Sequence, residues 1–446
     1  MEIRSIFDKY IKSVKNTDPI HYTGSVTKVA GLMVESHGPQ SVIGEICTIK
    51  LSDNTQILAE VVGLDDKNVK LMPFGETKGI EIGCTVIASG NVLQVPVGEE
   101  LLGRVIDATG KAIDHKGDIS TGKFYPAIAS PPNATDRPDI TERIVTGVRS
   151  IDSLNAVAKG QRLGIFAGSG VGKSTLISMI ARNTNADINV IALVGERGRE
   201  VNDFIRRDLG EEGLKKSVVV VATGDQSAIA RLRASYTATA IAEYFRDQGK
   251  DVMLMFDNIT RFAKAQREIG TSSGEPPTMR GYPASVFQLI PSLLERAGTS
   301  EKGTITGFYA VLVDGDDMDD PIADAVRGTL DGHIVLSRSL AQRYHYPAVD
   351  ILQSISRLAN RISGPKTKEA VSILRKLIAL YQNNEDMINL GAYQKGTNPD
   401  IDRAIDLHPG IEEFLLQEES DKAPLSDTIK RMGQLAGIEI PDEEFS

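Results

Sequence analysis

Tryptophan is absent from the 446 residues, and cysteine appears only twice, as Cys47 and Cys84. Two cysteines build no disulfide framework, and without a C-x-x-C pair they carry no zinc or thiol-exchange motif. Each closely follows a glycine in a strand-like segment, which points to buried apolar thiols, and the scarcity of cysteine points to a reducing cytoplasm. Long apolar runs are also missing. The strongest, such as "SVVVVA" at 217–222, fall far short of the roughly 20 residues that span a bilayer. The opening residues do not read as a secretory signal, so a role at a membrane is expected to run through partners. Net positive charge is lacking too: 50 Lys and Arg face 60 Asp and Glu, a formal charge of −10. That disfavours a nucleic-acid binder, which shows a basic footprint. What remains is the composition of a soluble globular protein, at a length expected to hold two or three domains.

The chain divides by texture. Residues 2–15, "EIRSIFDKYIKSVK", place Ile3, Ile6, Phe7, Tyr10, Ile11 and Val14 at helical spacing, with Lys9, Lys12 and Lys15 opposite. A helix over 1–18 could pack on its own domain, dock a partner protein or lie on a membrane surface. Residues 19–95 alternate short β-rich segments with glycine turns, which predicts a small β-barrel or sandwich. A proline-rich passage, "YPAIASPPNATDRPDI", reads as a strap leading into an α/β domain that extends to 365. Its apolar strand candidates are 162–167, 188–195, 217–222, 251–257, 306–312 and 333–338. Near-continuous apolar strands separated by helices predict a parallel sheet covered on both faces. From 366 to 446 the pattern turns helical, beginning with Val371, Leu374, Leu377, Ile378 and Tyr381.

The stretch "GIFAGSGVGKST", Gly164 to Thr175, has the form of a phosphate-binding loop with Ala167 in place of its first glycine. Such a loop turns successive backbone N–H groups toward phosphate oxygens at a helix N-terminus. The positions that need positive φ are Gly170 and Gly172. Position 167 ends a strand, where alanine fits. Gly168, Ser169, Gly170, Val171, Gly172 and Thr175 would cradle the phosphates, Lys173 would reach the β- and γ-phosphates, and the Ser174 hydroxyl would hold Mg²⁺.

A second magnesium anchor is expected at Asp257, which closes the apolar strand "DVMLMFD" at the edge where a parallel sheet binds ligands. Glu196, in "GERGRE" after another strand, could polarise the attacking water. Arg197 could orient Glu196 or touch phosphate. Hydrolysis also calls for a cation at the γ-phosphate, and spacing alone does not choose among the arginines.

Together, "VTGVRSIDSL", "AGSGVGKST", "VGERGREV", "MFDNITRFA" and "YPAVDILQSISR" resemble, in order, the catalytic subunits of the rotary ATPase family. The passage "SGEPPTMRGYPASVFQLIPSLLERAG" and the serine of "GVGKS" look like its bacterial type III protein export branch. "GLMVESHGP" and "LMPF" look most like the flagellar members, with the injectisome ATPases as the alternative. The resemblance implies an N-terminal β-barrel, a RecA-like P-loop core and a C-terminal helical domain. It implies a homohexamer that hydrolyses ATP with Mg²⁺ at sites between subunits. Arg357 would be an arginine finger reaching the neighbour's site, Tyr346 would stack on adenine, and Arg261 would support the γ-phosphate region. The segment around 270–283 would face the ring's pore.

The implied partners are a stator-like regulatory protein at the N-terminal helix, a central coiled-coil stalk protein, export chaperones with their cargo, and the membrane export gate. The implied location is the cytoplasm, peripheral at the inner face of the membrane. Nucleic acid is not expected. The segment "INLGAYQKGTNPDIDRAIDL" lacks the acidic lever motif of synthase subunits, which weakens a synthase reading. A non-catalytic ring subunit and a ring-shaped nucleic-acid motor are the competing classes. The presence of Glu196 argues against the first and the acidic balance against the second.

Overall fold

The computed structural model describes residues 22–445 except 67, 314, 316 and 318. The docking helix expected over 1–18 therefore lies outside the described residues. The chain forms two compact units, the first comprising the described residues up to Gln94 with Gln226–Ala230 and Ser272–Gly274.

In the first unit six strands close an antiparallel barrel: β1 (Thr23–Ala30), β2 (Met33–His37), β3 (Glu45–Lys50), β4 (Gln56–Asp65), β5 (Asn68–Pro73) and β6 (Thr85–Val92), in the order β1-β2-β5-β4-β3-β6. Side chains from every strand fill the interior, among them Val26, Val34, Ile49, Val61, Leu71 and Val86. Cys47 and Cys84 are free and buried in this core, as expected. Glu45 is buried too, but its two oxygens accept from Gly90 N at 2.8 Å and Val42 N at 3.0 Å, so the carboxylate is satisfied.

The second unit is built on a nine-stranded sheet. Its principal strands are β7 (Val105–Ile106), β8 (Arg162–Ala167), β9 (Ile188–Val194), β10 (Ser217–Ala222), β11 (Asp251–Asp257), β12 (Thr304–Leu312), β13 (Gly332–Leu336) and β14 (Val349–Ser356). The spatial order is β14-β13-β8-β12-β11-β9-β10-β7. All these neighbours are parallel except β13 and β14. Strands β9 and β10 are buried along their whole length, which is why they read as unbroken apolar runs. The strand expected over 333–338 stops at Leu336, because Ser337 caps the next helix by accepting from Leu340 N.

Helix α1 (Lys173–Asn183) follows β8, and helix α2 (Ile259–Ser273) follows β11. The chain ends in three helices, α3 (Pro365–Asn389), α4 (Pro399–Leu415) and α5 (Leu425–Ala436). Their buried residues, including Leu374, Leu377, Phe414, Ile429 and Met432, join the core that packs one face of the sheet. A barrel, a parallel-sheet nucleotide core and a C-terminal helical region are the architecture expected. Among the described residues no helix is long and apolar enough to cross a membrane.

Candidate active site

Strand β8 ends at Ala167 beside Leu312 and Leu336, so the loop that follows leaves at the C-terminal edge of the parallel strands. Within it Gly170 and Gly172 have φ of 77° and 93°, a backbone region that residues with a side chain rarely adopt, while Ala167 stays in the strand. Gly172 is the N-cap of α1, so the free N–H groups of the first turn face the loop. Gly168 and Val171 are buried, Ser169, Gly170 and Ser174 are exposed, and Thr175 is half-buried.

Lys173, the first residue of α1, is buried, and its Nζ donates to Asp257 Oδ1 and, at 3.5 Å, to Glu196 Oε1. Three loops thus deliver a cation and two carboxylates to one point: after β8, at the end of β11 and after β9. Burial works against the Lys173 charge, but the Asp257 and Glu196 carboxylates outweigh it and hold its pKa above the ordinary lysine range. Burial pushes the Asp257 carboxyl up, opposed by the ammonium.

Glu196 has a second donor that the sequence did not reveal. Asn258 Nδ2 lies 2.7 Å from Glu196 Oε1, and Asn258 Oδ1 accepts from Arg261 N at 2.9 Å. Asn258 is fully buried, so this amide fixes the carboxylate. Arg197, expected to orient Glu196 or touch phosphate, makes no bond to Glu196 among the described residues. It is the N-cap of the Gly198–Asp203 helix, its side chain is 86% exposed, and it pairs with Glu200 at 3.4 Å. Arg261 sits at the start of α2, and its Nε is buried without a hydrogen-bond partner among the described residues.

A cleft of about 790 Å³ opens beside the loop. Tyr346 lines it, close enough to the loop that a Cβ on Gly172 would sit 3.4 Å from its ring. The segment after α4, residues Leu416–Glu419, forms another wall. Gln417 anchors that wall. Its backbone N donates to Tyr346 O at 2.9 Å, its Nε2 to Gly147 O at 2.8 Å, and its Oε1 accepts from Arg149 N at 2.8 Å. No periodicity or motif marks this glutamine in the sequence.

Arg357 lies elsewhere. Strand β14 runs antiparallel, pairing Val349 with Leu336 and Ser356 with Gly332. Arg357 therefore emerges, exposed, at the edge opposite the phosphate loop. Five residues of strand, roughly 16 Å, separate its level, that of Asp331, from that of Ala167. It follows an edge strand and is not a helix-surface residue.

The residues present fit Mg²⁺-bound ATP. Gly170 leaves open space where a Cβ would stand, Arg261 holds a spare buried donor, and a hydroxyl and a carboxylate, Ser174 and Asp257, flank Lys173. Such oxygen donors suit magnesium, which takes one or two protein ligands plus phosphate oxygens.

The chain matches the model of the ATP synthase alpha/beta family nucleotide-binding domain over residues 147–356 and that of the family's beta-barrel domain over 26–90. Residues 364–434 match the T3SS EscN ATPase C-terminal domain. Over 433 residues it is 56% identical to the flagellum-specific ATP synthase of Treponema pallidum (strain Nichols), with 97% of each chain covered. It is 46% identical to the SPI-2 type 3 secretion system ATPase of Salmonella typhimurium (strain LT2), covering 92% of this chain and 94% of that one. The assembled ATPase EscN of enteropathogenic E. coli, solved in complex with its central stalk EscO, superposes with a TM-score of 0.87 at 42% identity, over 93% of this chain and all of that one. A phosphate loop whose lysine meets two strand-end carboxylates, on a scaffold shared along nearly its whole length with these proteins, places the chain in the ATP synthase alpha/beta family, among its flagellum-specific and type III secretion ATPases.

Proposed function

We propose that this ATPase splits Mg²⁺-bound ATP at seams between copies of itself in a hexameric ring, and that it serves flagellar type III export. The observation that carries the reading is the convergence of Lys173, Asp257 and Glu196 at one sheet edge. Incoming phosphate oxygens take the place of the carboxylates on Lys173, while the loop N–H groups from Gly168 to Thr175 hold the remaining phosphate oxygens. Ser174 and Asp257 would hold Mg²⁺, which when bound neutralises charge on the β- and γ-phosphates. Glu196, oriented by Asn258, accepts a proton from the attacking water as its oxygen bonds to the γ-phosphorus. The bond to the bridging oxygen breaks and ADP leaves. Arg261 supports the γ-phosphate, and Tyr346 stacks on adenine.

Arg357 cannot serve the loop of its own chain from the opposite edge, so it is assigned to the site of a neighbouring copy, where it offsets charge as the phosphoryl group transfers. Higher identity to the flagellum-specific relative than to the SPI-2 relative supports the flagellar branch. The stalk-bound EscN assembly supports a ring with a central coiled-coil partner. A stator-like protein at the N-terminal helix, export chaperones with cargo and the membrane gate complete the proposed partners. The ring would release or unfold chaperone–cargo complexes from the cytoplasm, peripheral to the membrane.

Glu196→Gln is expected to bind ATP yet lose turnover by on the order of 10²–10⁴. Undiminished kcat in that variant removes Glu196 from the chemistry. In the source bacterium, a chromosomal Glu196→Gln strain is expected to lack flagella, and normal swimming would refute the flagellar assignment.

A further inference from the structure

The turn that carries Tyr346 is held by a hydrogen-bonded histidine–glutamate pair that does not line the 790 Å³ cleft. After the Arg338–Gln342 helix the chain passes Arg343, Tyr344 and His345 before Tyr346. Tyr344 is 85% exposed and Tyr346 38%, yet His345 between them is only 6% exposed. Its ring lines a cavity of about 350 Å³ between this turn and the C-terminal helices. His345 Nδ1 lies 3.0 Å from Glu412 Oε2 on α4. A carboxylate only accepts, so Nδ1 carries the proton. The backbone is tied as well, through His345 N to Leu340 O at 3.0 Å.

Helix α4 therefore grips two consecutive residues. Glu412 holds the His345 side chain, and Gln417, just past the helix end, holds the Tyr346 carbonyl. Leu416 and Tyr344 line both the small cavity and the 790 Å³ cleft, so they form the wall between them. Other titratable groups around the pair have partners of their own, Asp350 accepting from Leu352 N and Gln353 N at 3.0 Å. His408, one turn earlier on α4, stacks on Tyr381 of α3 with centroids 3.5 Å apart. Arg343 pairs with Glu385 of α3 at 2.9 Å. The hydrogen bond from His345 keeps the Glu412 carboxyl below the ordinary glutamate range.

An exposed tyrosine on a turn offers a stacking face only if the turn is ordered beforehand; otherwise binding carries the cost of ordering it. We propose that His345 and Glu412 are positioning residues for base recognition, presetting the ring of Tyr346 and linking the base site to the C-terminal helical region. This rests on the reading of Tyr346 as the adenine-stacking residue.

The test compares wild type with His345→Ala, Glu412→Ala, Glu412→Gln, Tyr346→Ala and the His345→Ala/Glu412→Ala double variant. Measured are kcat, KM and Kd for ATP, and the inhibition constant of inorganic tripolyphosphate, which has phosphates but no base. Loss of the pair is expected to raise KM and Kd for ATP roughly fivefold to twentyfold, with kcat at saturation within about twofold of wild type. Glu412→Gln, whose amide oxygen still accepts from Nδ1, is expected to restore near wild-type affinity. The double variant should be no worse than the weaker single variant, as for two residues acting through one contact. Tripolyphosphate inhibition should not move.

Unchanged ATP affinity in Glu412→Ala, a half-exposed position where folding is not at stake, would overturn the proposal. So would tripolyphosphate binding that weakens in step with ATP, since that marks a general loosening. If Tyr346→Ala binds ATP as wild type does, the stacking role itself falls. If Tyr346→Ala weakens ATP but Glu412→Ala does not, only the positioning role falls.

Discussion

The Lys173 ammonium rests on the Asp257 carboxylate, with the lysine 9% exposed and the aspartate 4%. On the function proposed above, Lys173 is occupied before any phosphate arrives, and binding would exchange one anion for another. Removing the cation leaves the buried Asp257 carboxylate and the neighbouring Glu196 carboxylate without their counter-ion. Lys173→Met is therefore expected to lower the stability of the nucleotide-free chain by about 3 kcal/mol and to abolish the rise in Tm on adding Mg²⁺-ATP. Unfolding scans with and without nucleotide check both. An apo Tm equal to wild type would show that the pair contributes nothing.

Asn258 offers a cleaner probe of water activation than Glu196 itself. Asn258→Ala removes the 2.7 Å bond that orients the carboxylate but leaves the carboxylate in place. Turnover is expected to fall on the order of 10- to 100-fold, with KM for ATP little changed. A kcat equal to wild type would mean that Glu196 finds its position without the amide.

Arg357 and Lys173 lie at opposite edges of one sheet, which gives a test by mixing. Arg357→Ala and Lys173→Ala rings are each expected to be inactive. Mixed and reassembled, they should regain part of the wild-type rate, because some seams then join an intact lysine side to an intact arginine side. Specific activity of the wild type should also climb with protein concentration. No recovery on mixing, with mixed rings verified, would place Arg357 outside the neighbour's site.

Away from the site, Arg104 and Asp114 form a two-point ion pair at 2.7 and 2.9 Å. The hydrogen bonds from Arg104 hold the Asp114 carboxyl well below the usual carboxylate range. A depressed folded-state pKa contributes stability that is fully present above the unfolded value and fades as pH falls through the folded one. Asp114→Asn is thus expected to cost about 2 kcal/mol at pH 7, and the gap should begin to close only below about pH 4. Urea midpoints across pH follow it. A gap that shrinks between pH 7 and 5 would contradict the assignment.

Burial, helped by the nearby Glu45 charge, pushes the Cys47 thiol up to about 12. Thiolate is then scarce at neutral pH. Iodoacetamide at pH 8 should leave Cys47 unmodified in the native chain and label it in urea. Stoichiometric native labelling would show the barrel interior to be open.

Much of the scaffold could be read from the chain because buried parallel strands tolerate little besides apolar side chains. Strands β8, β10 and β11 span the ranges expected of them, 162–167, 217–222 and 251–257. Edge strand β14 was harder: half of it faces away from the core, and its mixed burial gives no unbroken run. The phosphate loop was legible because glycine at positive φ and a following lysine have few other uses together.

Local chemistry in the chain determined which groups stand at strand ends: Lys173 after β8, Glu196 after β9, Asp257 closing β11. Only the tertiary structure decided what each of them touches. Adjacency suggested Arg197 as the partner of Glu196, but a helix start turns that guanidinium toward Glu200 and solvent, while Asn258 arrives from another strand. Gln417 bonds to Tyr346, and Glu412 to His345, across long stretches of sequence. A hydrogen bond depends on distance and direction in space, and neither is encoded in the spacing of residues along a chain.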